Sequence, residues 1–448
     1  MKLTPLGPWI ARKLDIEKQN SRRLTRELIE AYQLDKLNQT LELASTRSIF
    51  YKHLLAGCNL KLKNLKQLEC LPFTTAEDIR INPLQLLTVS QGEIDRIVTL
   101  QSSGTTGQPK RIYFTAADQE LTIEFFQQGM ATLVEPGARV LILLPGKNPG
   151  SVGDLLKQAL TRHGVESIVY GPVFDPAETL AVIQKEKIDC LVGIPVQVLS
   201  LAKYRDANGL PVSVGVKNVL LSTDYVPEAI VQALQEAWDC RVFNHYGSTE
   251  MGLGGGVECE FLHGYHLREA DLYFEVVDPV SGEVLPDGEY GEVVFTTLTR
   301  QGMPLIRYKT GDFSRFLKEP CPCGTVLKRM DKVRGRLKGT VQLRNGQCIN
   351  ISELDEIILG LKGVVDFSAE LHEGKEQLLK ITAFEAEGNQ ISIEPEAVVH
   401  ALAALEPLNK AVKQKNLKVQ VQVKNEEQKR RITSSKRVIV IIPESGEL

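Results

Sequence analysis

With 448 residues, 43% of them hydrophobic and 24% charged, the chain has the make-up of an ordinary soluble protein, and it exceeds the length at which one hydrophobic core usually stops growing. Two or more domains are therefore expected. A formal net charge of −3 gives no bulk electrostatic reason for a nucleic-acid partner. No long apolar stretch opens the chain and none nears the ~18 residues of a membrane span, so no membrane association and a cytoplasmic location are expected.

Residues 1–90 read mainly as helices, for example RRLTRELIEAYQLDKL and TAEDIR. From Pro136 a regular alternation begins: RVLILLP, GDLLKQALTRHG, ESIVYG, PAETLAVIQKEK, IDCLVGIP, a helix near 196–205, VKNVLLST, PEAIVQALQEAW and CRVFNHY. Short, continuously apolar strands between amphipathic helices imply parallel βαβ units, whose ligands bind beyond the strand C-termini. STD (222–224) and NHYGSTE (244–250) fall there. After Gly264, LYFEVVDP and YGEVVFTTL read as antiparallel strands joined by a Gly/Pro/Asp turn.

Near Arg336 the pattern changes again: a helix at ISELDEIILGL, a strand pair at VVDFSAELHEG and QLLKITAFEA, a helix at EPEAVVHALAAL, and the alternating strand LKVQVQV. The fold class expected is α/β. A large N-terminal domain over 1–335 combines a parallel sheet with an antiparallel part, and a small α+β C-terminal domain covers 336–448.

Between two β-like stretches lies SSGTTGQPK (102–110). Small hydroxylated residues and glycines let backbone N–H groups approach an anion, and Lys110 adds a positive charge. The spacing is not that of a Walker A loop, and a Ser/Gly/Thr cluster alone is as often a surface turn.

Order and spacing add more. SSGTTGQPK, HYGSTE (245–250), IRYKTGD (306–312) and KVRGR (332–336) together resemble the adenylate-forming enzymes of the acyl-CoA synthetase superfamily. GEVLPDGEYGEVVFTTLTRQGMPLIRYKTGD, CPCG (321–324) and RMDKVRGR resemble its phenylacetate-CoA ligase and coenzyme F390 synthetase subgroup, over roughly residues 95–360. The resemblance implies adenylation of a carboxylic acid, aryl or arylacetic, with ATP and Mg²⁺, then transfer to CoA. Two anions must meet in that reaction, so catalysis comes from positioning and charge neutralisation.

By the same resemblance Ser103, Gly104, Thr105, Thr106, Gly107 and Lys110 would hold the β- and γ-phosphates. Tyr246, with Gly247 and Ser248, would lie at adenine, Thr249 at the α-phosphate, and Glu250 on Mg²⁺. Thr223 and Asp224 are weaker adenine candidates. Asp312 would accept the ribose hydroxyls, and Arg336 would approach the ribose or phosphates.

Two thiolates in CPCG are half of a tetrahedral metal site. Cys259, His263 and His266 in ECEFLHGYH offer the other half, and related ligases carry a similar stretch associated with zinc. Cys259, His266, Cys321 and Cys323 are the expected structural Zn²⁺ ligands, with His263 competing for the place of His266. The other five of the eight cysteines, Cys58, Cys70, Cys190, Cys240 and Cys348, are scattered and read as small hydrophobes.

The family pattern is departed from twice. Lys338 stands at the hinge position where Asp is commoner. In KRRITSSKRVIVI (429–441) an ungapped match puts Ser434 at the place of the catalytic lysine, whereas a two-residue slip supplies Lys436, which we take as catalytic with Thr249 and Glu250. Two other readings stay open: adenylylation of a phenolic hydroxyl, and a nucleotide-binding protein without catalysis. The expected partners are a small carboxylate and CoA, with a homodimer allowed.

Overall fold

The computed structural model describes residues 3–15, 23–100, 109–210, 215–336, 339–388, 392–425 and 437–444. They form two compact units, each built from separated stretches of chain. One comprises 1–137, 145–167 and 243–333; the other comprises 138–144, 168–242 and 334–448.

The first unit begins with helices. In the longest, Arg26–Arg47, the Thr25 hydroxyl accepts the Leu28 N–H at the N-terminus. Ile29, Gln33, Leu37, Leu41 and Ala44 then recur at helical spacing and are buried. Arg96–Leu100 and Lys110–Phe114 pair antiparallel, with Leu100 opposite Lys110. The helix Ala116–Met130 follows directly, started by a reciprocal cap between Thr115 and Asp118. Asp118 also accepts the N–H groups of Gln301 and Gly302 at 2.8 and 3.0 Å, tying that helix to the distant TRQGMP segment.

Two strand groups complete this unit. Leu272–Val277, Gly291–Thr297 and Tyr308–Ser314 form an antiparallel sheet with a bulge between Glu292 and Val294. The chain ending its strand at Tyr246 pairs antiparallel with Gly256–Glu258, then Tyr265–Leu267, then Arg329–Met330. Phe274, Phe295, Tyr246, Tyr265 and Tyr308 meet in one apolar core with Leu37 and Leu41 of the long helix.

In the second unit Arg139–Ile142, Cys190–Gly193 and Asn218–Leu221 run parallel, as continuous apolar strands require. Helices Pro195–Ala207 and Glu228–Trp238 cover them. The C-terminal part contributes helix Ile351–Ile358 and a four-stranded sheet. There Val364–His372 and Gln377–Glu385 pair antiparallel, while Leu417–Asn425 and Ile439–Ile442 run parallel on either side. Leu199, Ile230, Leu354, Ile358 and Phe367 share a single core. The α/β class read from the sequence holds, parallel and antiparallel parts included. Among the described residues no helix is long and apolar enough to cross a membrane.

Candidate active site

HYGSTE leaves the end of a strand and turns sharply. The N–H groups of Met251 and Leu253 both bond to the Ser248 carbonyl, and that of Gly252 to Thr249. A Cβ at Gly247 would lie 2.6 Å from the Leu253 carbonyl oxygen, a backbone atom that cannot swing aside, so the turn requires glycine. This fold-back brings Glu250 inside, 6% exposed.

Around Glu250 three elements converge. The Lys110 ammonium, at the start of its strand, contacts Glu250 Oε1. The Tyr308 hydroxyl donates to the same oxygen at 3.1 Å and accepts from Lys110 Nζ at 3.3 Å. Arg300 Nη1 donates to the Glu250 carbonyl at 2.7 Å, and burial pulls this guanidinium down to about 10. Glu250 is thus fixed at both its backbone and its side chain.

The same strand that carries Tyr308 carries Asp312. Between them Gly311 takes φ +74, open to glycine at no cost, and its N–H bonds to Glu292 Oε1 at 3.0 Å. Asp312 is 4% exposed and accepts the Tyr246 hydroxyl at 2.9 Å. The residue before Tyr308 is Arg307, which forks onto Glu275 at 3.1 and 3.0 Å and onto the Glu69 and Leu71 carbonyls. Two tyrosine hydroxyls therefore each aim one carboxylate, Glu250 and Asp312, within one unit.

Lys110, Tyr246, Glu250 and Asp312, singled out from the sequence, lie in this constellation, with Gly247, Ser248 and Thr249 in the turn that builds it. Thr223, Asp224 and Arg336 belong to the second unit. There Thr223 has φ +79, and Asp224 Oδ1 accepts the Tyr225 N–H at 2.9 Å. Ser103, Gly104, Thr105, Thr106, Gly107, Lys338, Ser434 and Lys436 lie outside the described residues. Tyr308, Arg300 and Arg307 were passed over in the sequence, although TTLTRQGMPLIRYKTGD contains all three. An aromatic in an alternating strand reads as core, and Tyr308 is core by its ring while polar by its hydroxyl.

Cys259, His266, Cys321 and Cys323 come together, all buried, with one potential ligand atom from each within 4.8 Å of every other. The Cys259 and Cys321 sulfurs are 3.6 Å apart, and Cys323 Sγ is 3.5 Å from His266 Nε2. Tetrahedral zinc with bonds of about 2.3 Å to sulfur would set sulfurs about 3.8 Å apart, so the four fit the ion. Burial, helped by Arg329, brings His266 down to about 4 and keeps it in the neutral form that ligates. The two histidines are placed differently, with His266 opposite Arg329 in the pairing of Tyr265–Leu267 with Arg329–Met330. His266 faces the sulfurs, whereas His263 bonds Arg329 through its ring at 3.3 Å and its carbonyl at 2.7 Å.

Comparison with known proteins gives the family and the fold. A family model described as AMP-binding enzyme matches residues 31–299. Phenylacetate-coenzyme A ligase of Thermus thermophilus is 32% identical over 356 residues, 76% of this chain and 78% of that one. The Escherichia coli enzyme of the same name is 28% identical, covering 74% and 76%. Among solved structures, 2-hydroxyisobutyryl-CoA ligase in its postadenylation state shares the fold at TM-score 0.78 and 20% identity, over 94% of this chain and 91% of the other. Of the three readings the sequence left open, the phenolic acceptor and the loss of catalysis fall away, because the curated relatives are ligases to coenzyme A. The chain belongs to the AMP-binding enzyme family, as an adenylate-forming acid–CoA ligase related to the phenylacetate-CoA ligases.

Proposed function

We propose that this ligase activates an aryl or arylacetic acid, and that the constellation around Glu250 and Asp312 is its nucleotide site. The observation that carries the reading is the meeting of Lys110, Tyr308 and Glu250 in the unit that also pairs Tyr246 with Asp312. Asp312 is an acceptor suited to the two ribose hydroxyls. Tyr246, with Gly247 and Ser248, lies at adenine, and Thr249 lies at the α-phosphate. Ser103–Gly107 and Lys110 hold the departing pyrophosphate, and Thr223, Asp224 and Arg336 contribute from the second unit.

Glu250 fits Mg²⁺: its Oε1 already receives a cationic group, the Lys110 ammonium, in a buried setting. When bound, the ion would neutralise charge on the phosphates. Cys259, His266, Cys321 and Cys323 hold a structural zinc. Lys436 supplies the positive charge between carboxylate and α-phosphate. Its support is the resemblance of KRRITSSKRVIVI to the family's lysine-bearing segment with a two-residue slip. Residues 336–448 turn as a body between the two half-reactions, with residues 1–335 holding acid and nucleotide. The enzyme works in the cytoplasm.

The test is carboxylate-dependent pyrophosphate exchange across a panel of acids, followed by CoA-dependent release of AMP. Phenylacetate-like acids should support both. Exchange with aliphatic acids only would overturn the substrate reading. For zinc, metal analysis of unchelated protein should give close to one equivalent, and less than about half would remove the site.

A further inference from the structure

We infer that Tyr308 is a positioning residue for adenylation, its hydroxyl setting the Glu250 carboxylate for the divalent cation. The inference rests on the reading of Glu250 as the metal ligand. Three observations support it. Tyr308 is 2% exposed, and its ring is fixed 5.4 Å from that of Phe295, which stands opposite it in the sheet register. Its hydroxyl proton goes to Glu250 Oε1 at 3.1 Å. Its oxygen lone pair receives Lys110 at 3.3 Å, so donor and acceptor capacities face the two ionic partners at once.

The consequence follows from competition at one atom. Lys110 contacts Glu250 Oε1, and a divalent cation held by this carboxylate would compete for it. Two positive charges cannot share that oxygen closely without repulsion, so an ammonium that serves the phosphates must leave it when the cation arrives. A carboxylate on a flexible side chain would then be free to rotate. The Tyr308 hydroxyl is neutral and rigidly mounted, so it stays and preserves the carboxylate plane. Outer partners of this kind govern metal affinity or activity by about 10–100-fold. Arg300 fixes the backbone of Glu250 through its carbonyl and not through the carboxylate.

Tyr308→Phe removes the hydroxyl and keeps the ring. Two readouts are taken: the Mg²⁺ midpoint of pyrophosphate exchange, and binding of Mn²⁺ with a non-hydrolysable ATP analogue by electron paramagnetic resonance. Both should weaken by about 10-fold or more, while KM for the acid stays within about twofold. Both are midpoints of the folded fraction, so partial unfolding lowers amplitude without mimicking the shift. Glu250→Gln and the double variant complete a cycle. In the Gln background Tyr308→Phe should add almost nothing. Wild-type midpoints in Tyr308→Phe overturn the proposal, as does an effect that persists undiminished in the Gln background. If Glu250→Gln alone leaves Mg²⁺ and Mn²⁺ midpoints unchanged, it is the metal-ligand reading that fails.

Discussion

At Gly247 a single hydrogen atom stands where every other residue has a carbon. The added carbon of alanine would meet the Leu253 carbonyl oxygen and carbon at 2.6 and 2.9 Å, both backbone. Gly247→Ala must therefore open the turn that carries Glu250 inward. Overpacking of this kind costs about 1–3 kcal/mol, and adenylation should fall further than stability does because Glu250 is displaced. Thermal unfolding compared with pyrophosphate exchange checks this; a variant with full exchange would show that the turn tolerates opening. Gly254 is different, since the atoms a Cβ would meet are the Phe125 ring, which lies among His245, Phe126 and Trp9. His245 in that group is brought down to about 4 by burial and stays neutral. Glu250, Asp312 and Lys110 were singled out at this scale because they stand in ordered motifs, HYGSTE, IRYKTGD and SSGTTGQPK, and not by residue type, since carboxylates and lysines are common in the chain. Tyr308 was not, because a sequence does not separate a tyrosine used for its ring from one used for its oxygen.

Helix Ile351–Ile358 illustrates the limits of reading at the scale of elements. Its start was visible: Asn350 and Glu353 cap one another, and its apolar spacing is helical. Asp355 would pass as one of its solvent-facing charges. Instead it is 2% exposed and holds Arg437, which lies 82 residues later and also bonds Asp366 and covers the Phe367 ring. One guanidinium divided between two buried carboxylates does not fully offset desolvation. Burial first, with Asp224 and Glu356 adding repulsion against the pull of Arg437, raises Asp355 to about 7. Its folded value thus exceeds the unfolded one near 3.8. The folded state binds the extra proton between these values, so this contribution is full below about pH 4 and is lost as pH rises through about 7. Asp355→Asn, which keeps an acceptor for Arg437, should gain stability relative to the wild type as pH rises across that window and change little above it. Urea unfolding at pH 4.5, 6 and 7.5 measures the difference, and a constant offset would refute the raised value. The strands and helices themselves followed from spacing. The partners of their charged residues did not, because those come from chain hundreds of ångströms of extended length away.

For the molecule as a whole, continuity in sequence and continuity of packing divide the chain differently. Leu199 and Ile230 of the parallel region share a core with Leu354, Ile358 and Phe367 beyond residue 334. Tyr225 donates to Glu356 at 2.5 Å, and Lys203 to the Leu361 carbonyl at 3.2 Å, across the same stretch of that unit. A chain ended at Val333 would leave this apolar surface open to water at about 25 cal/mol per Å². It should melt several degrees below the full-length protein and bind a hydrophobic dye; equal melting temperatures would mean that these contacts stabilise little. Hydropathy patterns locate elements but carry no record of which faces meet, so the change of pattern near Arg336 did not announce that Leu354, Ile358 and Phe367 pack with Leu199 and Ile230.

The four-ligand cluster has a further consequence when it is viewed by what it encloses. His266 precedes and Cys321 follows the entire antiparallel sheet, so an ion bound there closes about 55 residues, Tyr308 and Asp312 among them, into a ring. A closure of that length restricts the unfolded chain by an amount on the order of 4 kcal/mol if it acts as a disulfide does. The ion would then be a clasp on the strand that carries Tyr308 and Asp312, far outside its coordination sphere. If the ion is bound, its removal by a chelator should lower the denaturant midpoint of the folded protein, since the stability added by closing the ring goes with it.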